Sequence, residues 1–167
     1  LRNTGQTGGT PDADIDADEA WDVTTGSSQI VVAVIDTGVD YTHPDLAANM
    51  WHNSGEVPNN NLDDDGNGFV DDYYGYDFVN GDSNAYDDEG HGTMTAGVLG
   101  AAGNNGIGIA GLCWYCRILP VKVLDSEGSG LYSDIAEGVR YAADRGADII
   151  NMSLGGSADS TLLRDAV

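Results

Sequence analysis

Three separated apolar runs constrain this chain more than anything else in it: "QIVVAVID" (29–36), "RILPVKVLD" (117–125) and "ADIINMSLGG" (147–156). Each is short and rich in β-branched residues, and each is continuous rather than alternating. That pattern suits strands buried on both faces of a parallel sheet. Between the second and third runs lies "SGLYSDIAEGVRYAADRG", where Ile135, Val139, Ala142 and Ala143 recur at helical spacing and Gly146 closes the segment. The result is a β-α-β unit, which implies a parallel sheet with a right-handed crossover. A shorter helix is expected over Asp16 to Val23, with Ala17, Ala20 and Trp21 on one face. Residues 1–15, dense in Gly, Thr and Asp, read as an irregular arm, and 53–89 reads as a long polar loop that must be tied down or be mobile.

The charge balance limits the partners. There are 28 Asp and Glu against 6 Lys and Arg, a formal net charge of -22. Such a surface repels phosphate backbones and anionic membranes, so neither nucleic acid nor membrane is an expected partner, whereas hard cations are. No apolar stretch approaches the roughly 20 residues that a bilayer crossing needs. The chain opens without Met and stops inside "STLLRDAV", which reads as an opening helix, so the sequence is expected to be a piece of a longer precursor. Cys113 and Cys116 form a C-x-x-C without a second cysteine pair. That disfavours zinc and leaves a disulfide, or two inert thiols in a reducing compartment.

The first run ends on a carboxylate, Asp36, followed at once by Thr37 and Gly38. In open α/β sheets functional groups collect just beyond the carboxyl ends of the strands. A buried carboxylate there is expensive without a partner. The partner candidate is His91 in "DDEGHGTMTAGVLGAAG", at the start of a stretch seeded with Ala96, Gly97, Gly100 and Ala101. Helical glycines cost up to about 1 kcal/mol each relative to Ala, which suggests a helix passing close to something.

"VVAVIDTGVDYTHPDL", "HGTMTAGVLGA" and "IINMSLGG" together resemble the aspartate, histidine and substrate-cleft motifs of the subtilisin-like serine proteases, in that family's order. The resemblance runs from about Asp16 onward. It implies an α/β fold with a parallel sheet flanked by helices in three layers, incomplete in this chain, with residues 1–167 forming the N-terminal portion of a single catalytic domain. It implies that Asp36 orients His91, and that His91 is the base for a serine beyond Val167, because no Gly-Thr-Ser-Met-Ala-like segment occurs here. Ser153 would belong instead to the cleft, with Leu154 and Gly155. Leu124, Gly128, Ser129 and Gly130 would line the other edge, their glycines letting a peptide pair alongside as an added strand. Leu154 points to an apolar or aromatic preference. Asn151 precedes the cleft segment and reads as structural.

The acidity has a use. "DDDGNGFVDD" places Asp63, Asp65, Asn67, Phe69 and Asp71 at positions 1, 3, 5, 7 and 9 of an EF-hand-type calcium loop, with Asp72 replacing the absent acid at position 12. By resemblance to thermostable subtilases, "DFVNGDSNAY" would hold a second ion through Asp77, Asn80, Asp82, Asn84 and Tyr86. A third would use Asp45 and Asn105 with carbonyls of Gly103, Ile107 and Ile109. Two to three Ca2+ ions are therefore expected. The whole points to a secreted endopeptidase acting on polypeptides, completed by the remainder of its catalytic domain. An inactive or nicked fragment needing a complementary chain is one alternative. A calcium-binding structural module is another, and it leaves His91 and the cleft glycines unexplained.

Overall fold

In the computed structural model, which describes residues 3–167, four parallel strands form one sheet in the order β2-β3-β1-β4. The strands are β1 Val31–Asp36, β2 Tyr76–Asp77, β3 Arg117–Lys122 and β4 Ile149–Asn151. The three apolar runs became β1, β3 and β4. The two residues of β2, set in the polar region 53–89, carry no such run and pair with Val121 and Lys122 of β3. Val31 to Asp36 lie opposite Arg117 to Lys122, and β4 pairs with the other edge of β1. The helix α3 (Tyr132–Asp144) therefore carries the chain across β1 rather than between neighbouring strands.

Successive side chains of a strand face opposite sides, so β1 serves two cores. Ala33 and Ile35 join Leu119, Val121 and the Ile135, Val139 and Ala142 of α3. Val32 and Val34 join Ile118, Leu46, Met50 and the Ala96 of α2 (His91–Gly100) on the other face. Helices thus cover both faces of a parallel sheet, the three-layer α/β architecture expected, partial in this chain.

Several local expectations are corrected. Ala143 is exposed, and Ala136, Gly138 and Tyr141 complete the buried stripe of α3 instead. In α1 (Ala17–Val23) Ala17 is buried and Trp21 packs on Trp114 with ring centres 5.0 Å apart, but Ala20 faces solvent. The strand β4 is three residues long and is the edge of the sheet formed by this partial chain, where Ile149 is 53 % exposed. Of the helical glycines, Gly100 does make the close approach, since a Cβ there would lie 2.7 Å from Ile118 Cδ1, whereas Gly97 meets only Ile109 at 3.8 Å.

The arm is irregular as expected, closed by Asp12 N donating to Asn3 O at 2.8 Å; Leu1 and Arg2 lie outside the described residues. The 53–89 region is tied down by aromatic rings. Phe69 sits 4.8 Å from Tyr76 and 4.9 Å from Tyr141, and Tyr41 stacks on Tyr74 at 4.5 Å. Cys113 and Cys116 are free thiols, and the expected disulfide does not join them. Burial pushes the Cys116 thiol up to about 12, and its Sγ donates to the Cys113 carbonyl at 3.3 Å, so it has little thiolate character.

Candidate active site

Asp36 closes β1 and is wholly buried. Its Oδ1 accepts from Thr37 N at 2.8 Å and lies 2.7 Å from His91 Nδ1, at the first turn of α2. An ionised carboxylate can only accept, so the imidazole proton sits on Nδ1 and leaves Nε2 free as an acceptor. The Asp36 hydrogen bond, then its charge, hold the His91 imidazole above its ordinary value of 6.5; the nearby Glu89 and Asp87 carboxylates act in the same direction. The side chain of His91 is 45 % exposed, so the contact pairs a buried anion with an accessible base.

Two features bring these residues together. The first is a hydroxyl relay: Thr37 Oγ1 accepts from Gly92 N at 2.9 Å and donates to Asp87 Oδ1 at 2.8 Å. The other Asp87 oxygen accepts from Thr93 N and Oγ1 at 2.9 and 2.5 Å. Burial opposes the charge of Asp87. The Thr93 hydroxyl and the amides of Gly90, Thr93 and Glu89 outweigh it and hold the carboxyl below the usual range. The second is contact: a Cβ at Gly92 would lie 2.0 Å from Gly38 O and 3.2 Å from Asp36 Cβ. Replacing Gly92 with Ala should destabilise the fold by about 1–3 kcal/mol through overpacking and push α2 away from β1. Thermal melting reads the first effect and the pH dependence of His91 the second.

A cavity of about 500 Å³ opens beside His91. Leu124, Gly128, Ser129, Gly130, Ser153, Leu154 and Gly155, all singled out from sequence, line it together. Glu89, Tyr132, Gly156 and Ser157 line it too and were missed. Tyr132 reaches it from the first turn of α3, its hydroxyl donating to Ala158 O at 2.9 Å, a long-range contact that no local pattern announces. The glycine rationale also changes. Gly128 needs its φ of +71° for the turn, and Gly130 is pressed on its own chain, where a Cβ would meet Val123 O at 2.1 Å. Asn151 Nδ2 donates to Ser153 Oγ at 3.0 Å.

Among the expected metal ligands, Asp65 and Asp72 converge with Glu56, a residue the sequence reading missed because it lies outside the 12-residue loop. One carboxylate oxygen from each of the three lies within 4.8 Å of the others. Glu56 Oε1 accepts from Asp64 N and Asp65 N, while the buried Oε2 has no partner among the described residues. Arg145 is the cation at this cluster, 3.3 Å from Asp65 and 3.9 Å from Asp72. Tyr141 OH donates to Asp72 Oδ2 at 2.8 Å, and burial followed by the Asp72 charge drives its phenol strongly upward. Asp63 and Asp71 instead accept from loop amides, those of Asn67 and Gly68 and of Asn60 and Asn61, and Phe69 places its ring in the aromatic cluster.

In the second set, Asp77 accepts from the amides of Val79 and Asn80 and from Asn80 Nδ2; Asp82 accepts from Asn84 N, and Asn84 Oδ1 from Tyr41 OH. Tyr86 packs edge-on against Tyr41. In the third, Asp45 accepts from Asn105 Nδ2 at 2.6 Å and from Ile109 N at 2.8 Å, and Ile107 N donates to Asn105 Oδ1, with Gly103 set against the Trp114 ring.

A buried aspartate at the carboxyl edge of the parallel sheet is thus bonded to the histidine that opens α2, beside a cleft lined in part by glycines. The chain belongs to the subtilase family, whose sequence model matches residues 27–166. It is 48 % identical over 150 residues to a thermophilic serine proteinase of a Bacillus species, covering 90 % of this chain and 32 % of that protein. It is 41 % identical over 153 residues to thermitase of Thermoactinomyces vulgaris, covering 92 % and 47 %. Halolysin of Haloferax mediterranei is 39 % identical over 145 residues, covering 84 % and 24 %. The chain thus spans less than half the length of these relatives.

Proposed function

We propose that the full-length protein is a secreted, calcium-stabilised serine endopeptidase and that residues 1–167 form the N-terminal portion of its single catalytic domain. The observation that carries this reading is the 2.7 Å contact between His91 Nδ1 and Asp36 Oδ1 at the mouth of the cleft. His91 Nε2 takes the proton of a serine hydroxyl lying beyond Val167 as that oxygen attacks the peptide carbonyl. The imidazolium, held by Asp36, returns the proton to the departing amine. The segments 124–130 and 153–155 flank the polypeptide substrate, which adds a strand between them. Secretion is supported by relatives named as a cell wall-associated protease and as an extracellular serine protease. Among the described residues no helix is long and apolar enough to cross a membrane.

Calcium fits the residues present. Three carboxylates facing one guanidinium, with one buried oxygen unpartnered, leave a surplus of negative charge that a hard dication with oxygen ligands neutralises. Glu56, Asp65 and Asp72 are the proposed ligands of the first ion. Asp45 with Asn105, and Asp77 with Asn80, Asp82 and Asn84, are those of the other two. Calcium supplies folding free energy and no step of hydrolysis.

The test is hydrolysis of a chromogenic peptide by the full-length protein and by its His91→Ala variant; comparable turnover by both would refute the reading. The pH profile is a further check. His91 works as a base only when neutral, and its affinity for the proton is raised. The acid limb of kcat/KM should therefore fall above pH 6.5 in the parent and move to lower pH in Asp36→Asn.

A further inference from the structure

Lys122, the last residue of β3, has a side chain only 2 % exposed. An ammonium group in such a place is costly unless each N–H finds an acceptor, and a lysine has three. Here all three are used: Nζ donates to Thr37 O at 2.7 Å, to Leu124 O at 2.8 Å and to Asp88 Oδ1 at 2.7 Å. The acceptors come from three segments: the turn that follows Asp36, the start of the 124–130 cleft wall, and the loop that leads into His91. Apart from Arg117 at its start, the rest of β3 is apolar, so the ammonium is the exception in the buried stretch of the strand.

From this convergence we infer that Lys122 is a positioning residue, whose ammonium fixes the Asp36 turn, the His91 loop and the cleft wall relative to one another. It acts through these groups, since it does not itself line the cavity. The Thr37–Asp87–Thr93 relay holds the hydroxyl side of Thr37, and Lys122 holds its carbonyl side. Between them the residue after Asp36 is fixed at both ends. The inference rests on the protease reading above.

The test compares full-length parent, Lys122→Met, Lys122→Arg and Asp88→Asn enzymes on a chromogenic peptide, with kcat, KM and the acid limb of kcat/KM measured separately. The charged groups facing the imidazole are Asp36 from β1 and Glu89 and Asp87 from its own loop, and none of them is altered. Lys122→Met should lower kcat by about 100-fold, the scale of an ångström-level misplacement. It should also move the acid limb to lower pH, because a loosened Asp36 contact stabilises the imidazolium less. Removing a positive charge without movement would shift the limb the other way, so the sign separates positioning from charge. Lys122→Arg should recover part of both effects. Asp88, half exposed, loses one of the three contacts with little threat to folding, and Asp88→Asn should lower kcat by a smaller factor; kcat is the readout for this variant, because loss of its negative charge alone already moves the acid limb to lower pH. A limb that stays in place while only the melting temperature falls, or one that moves to higher pH, overturns the inference. So does an unaltered Asp88→Asn enzyme if Lys122→Met does not fold. A parent enzyme that cleaves no peptide overturns the protease reading as well; a parent that cleaves, with unaltered variants, overturns this inference alone.

Discussion

Changing Asp36 to Asn in the full-length protein should lower kcat by about four orders of magnitude, the scale that loss of the orienting carboxylate sets in serine proteases. KM should change little, because Asp36 is wholly buried and is not among the residues that line the cavity. The substitution nearly preserves shape. What it removes is an acceptor that requires the proton on His91 Nδ1 and stabilises the imidazolium. An amide can present its own N–H to Nδ1, which puts the proton on Nε2 and leaves no base facing the serine. His91→Ala should cost more, on the order of 10⁶. The two changes combined should cost little more than His91→Ala alone, because the residues act as one unit.

Chelation of calcium should lower the melting temperature of the full-length protein by roughly 10–30 °C. An ion that binds only the folded state contributes about 2.7 kcal/mol at a hundred times its Kd. Two or three sites together contribute roughly 5–8 kcal/mol, and each kcal/mol moves the midpoint of a domain this large by roughly 2–4 °C. Glu56→Gln should reduce the shift that the chelator causes, since Glu56 carries the unpartnered buried oxygen of the Glu56–Asp65–Asp72 cluster. With the ion gone, the loops of 53–89 should become the first sites of proteolytic nicking. Superimposed melting curves with and without chelator would contradict the calcium account.

How far these features were legible depends on the range over which each is encoded. β1 and β3 were visible because burial on both faces demands an unbroken apolar run, and α3 because its stripe repeats at helical spacing. β4 was visible as a run for the same reason, and it forms the edge of the sheet in this partial chain. Asp36 called for a partner and His91 was its candidate from the residues alone, but only the resemblance gave the pairing weight, since 55 residues separate them and no local pattern joins them. Glu56, Tyr132 and Lys122 were missed or passed over for the same reason. Each looks ordinary in its own stretch, and its role depends on partners brought from elsewhere: Asp65 and Asp72, Ala158, and Thr37 with Asp88. The EF-hand-like spacing of 63–72 was legible as an acidic loop. Which of its carboxylates converge was not, because Asp63 and Asp71 are taken by backbone amides.

The most direct measurement is intact-mass and peptide mapping of the full-length protein after treatment with a fluorophosphonate, which reacts with a serine activated by a neighbouring base. The account predicts one adduct per chain, on a serine outside residues 1–167, and none in the His91→Ala variant. An adduct on Ser153, or labelling that survives the loss of His91, would contradict it.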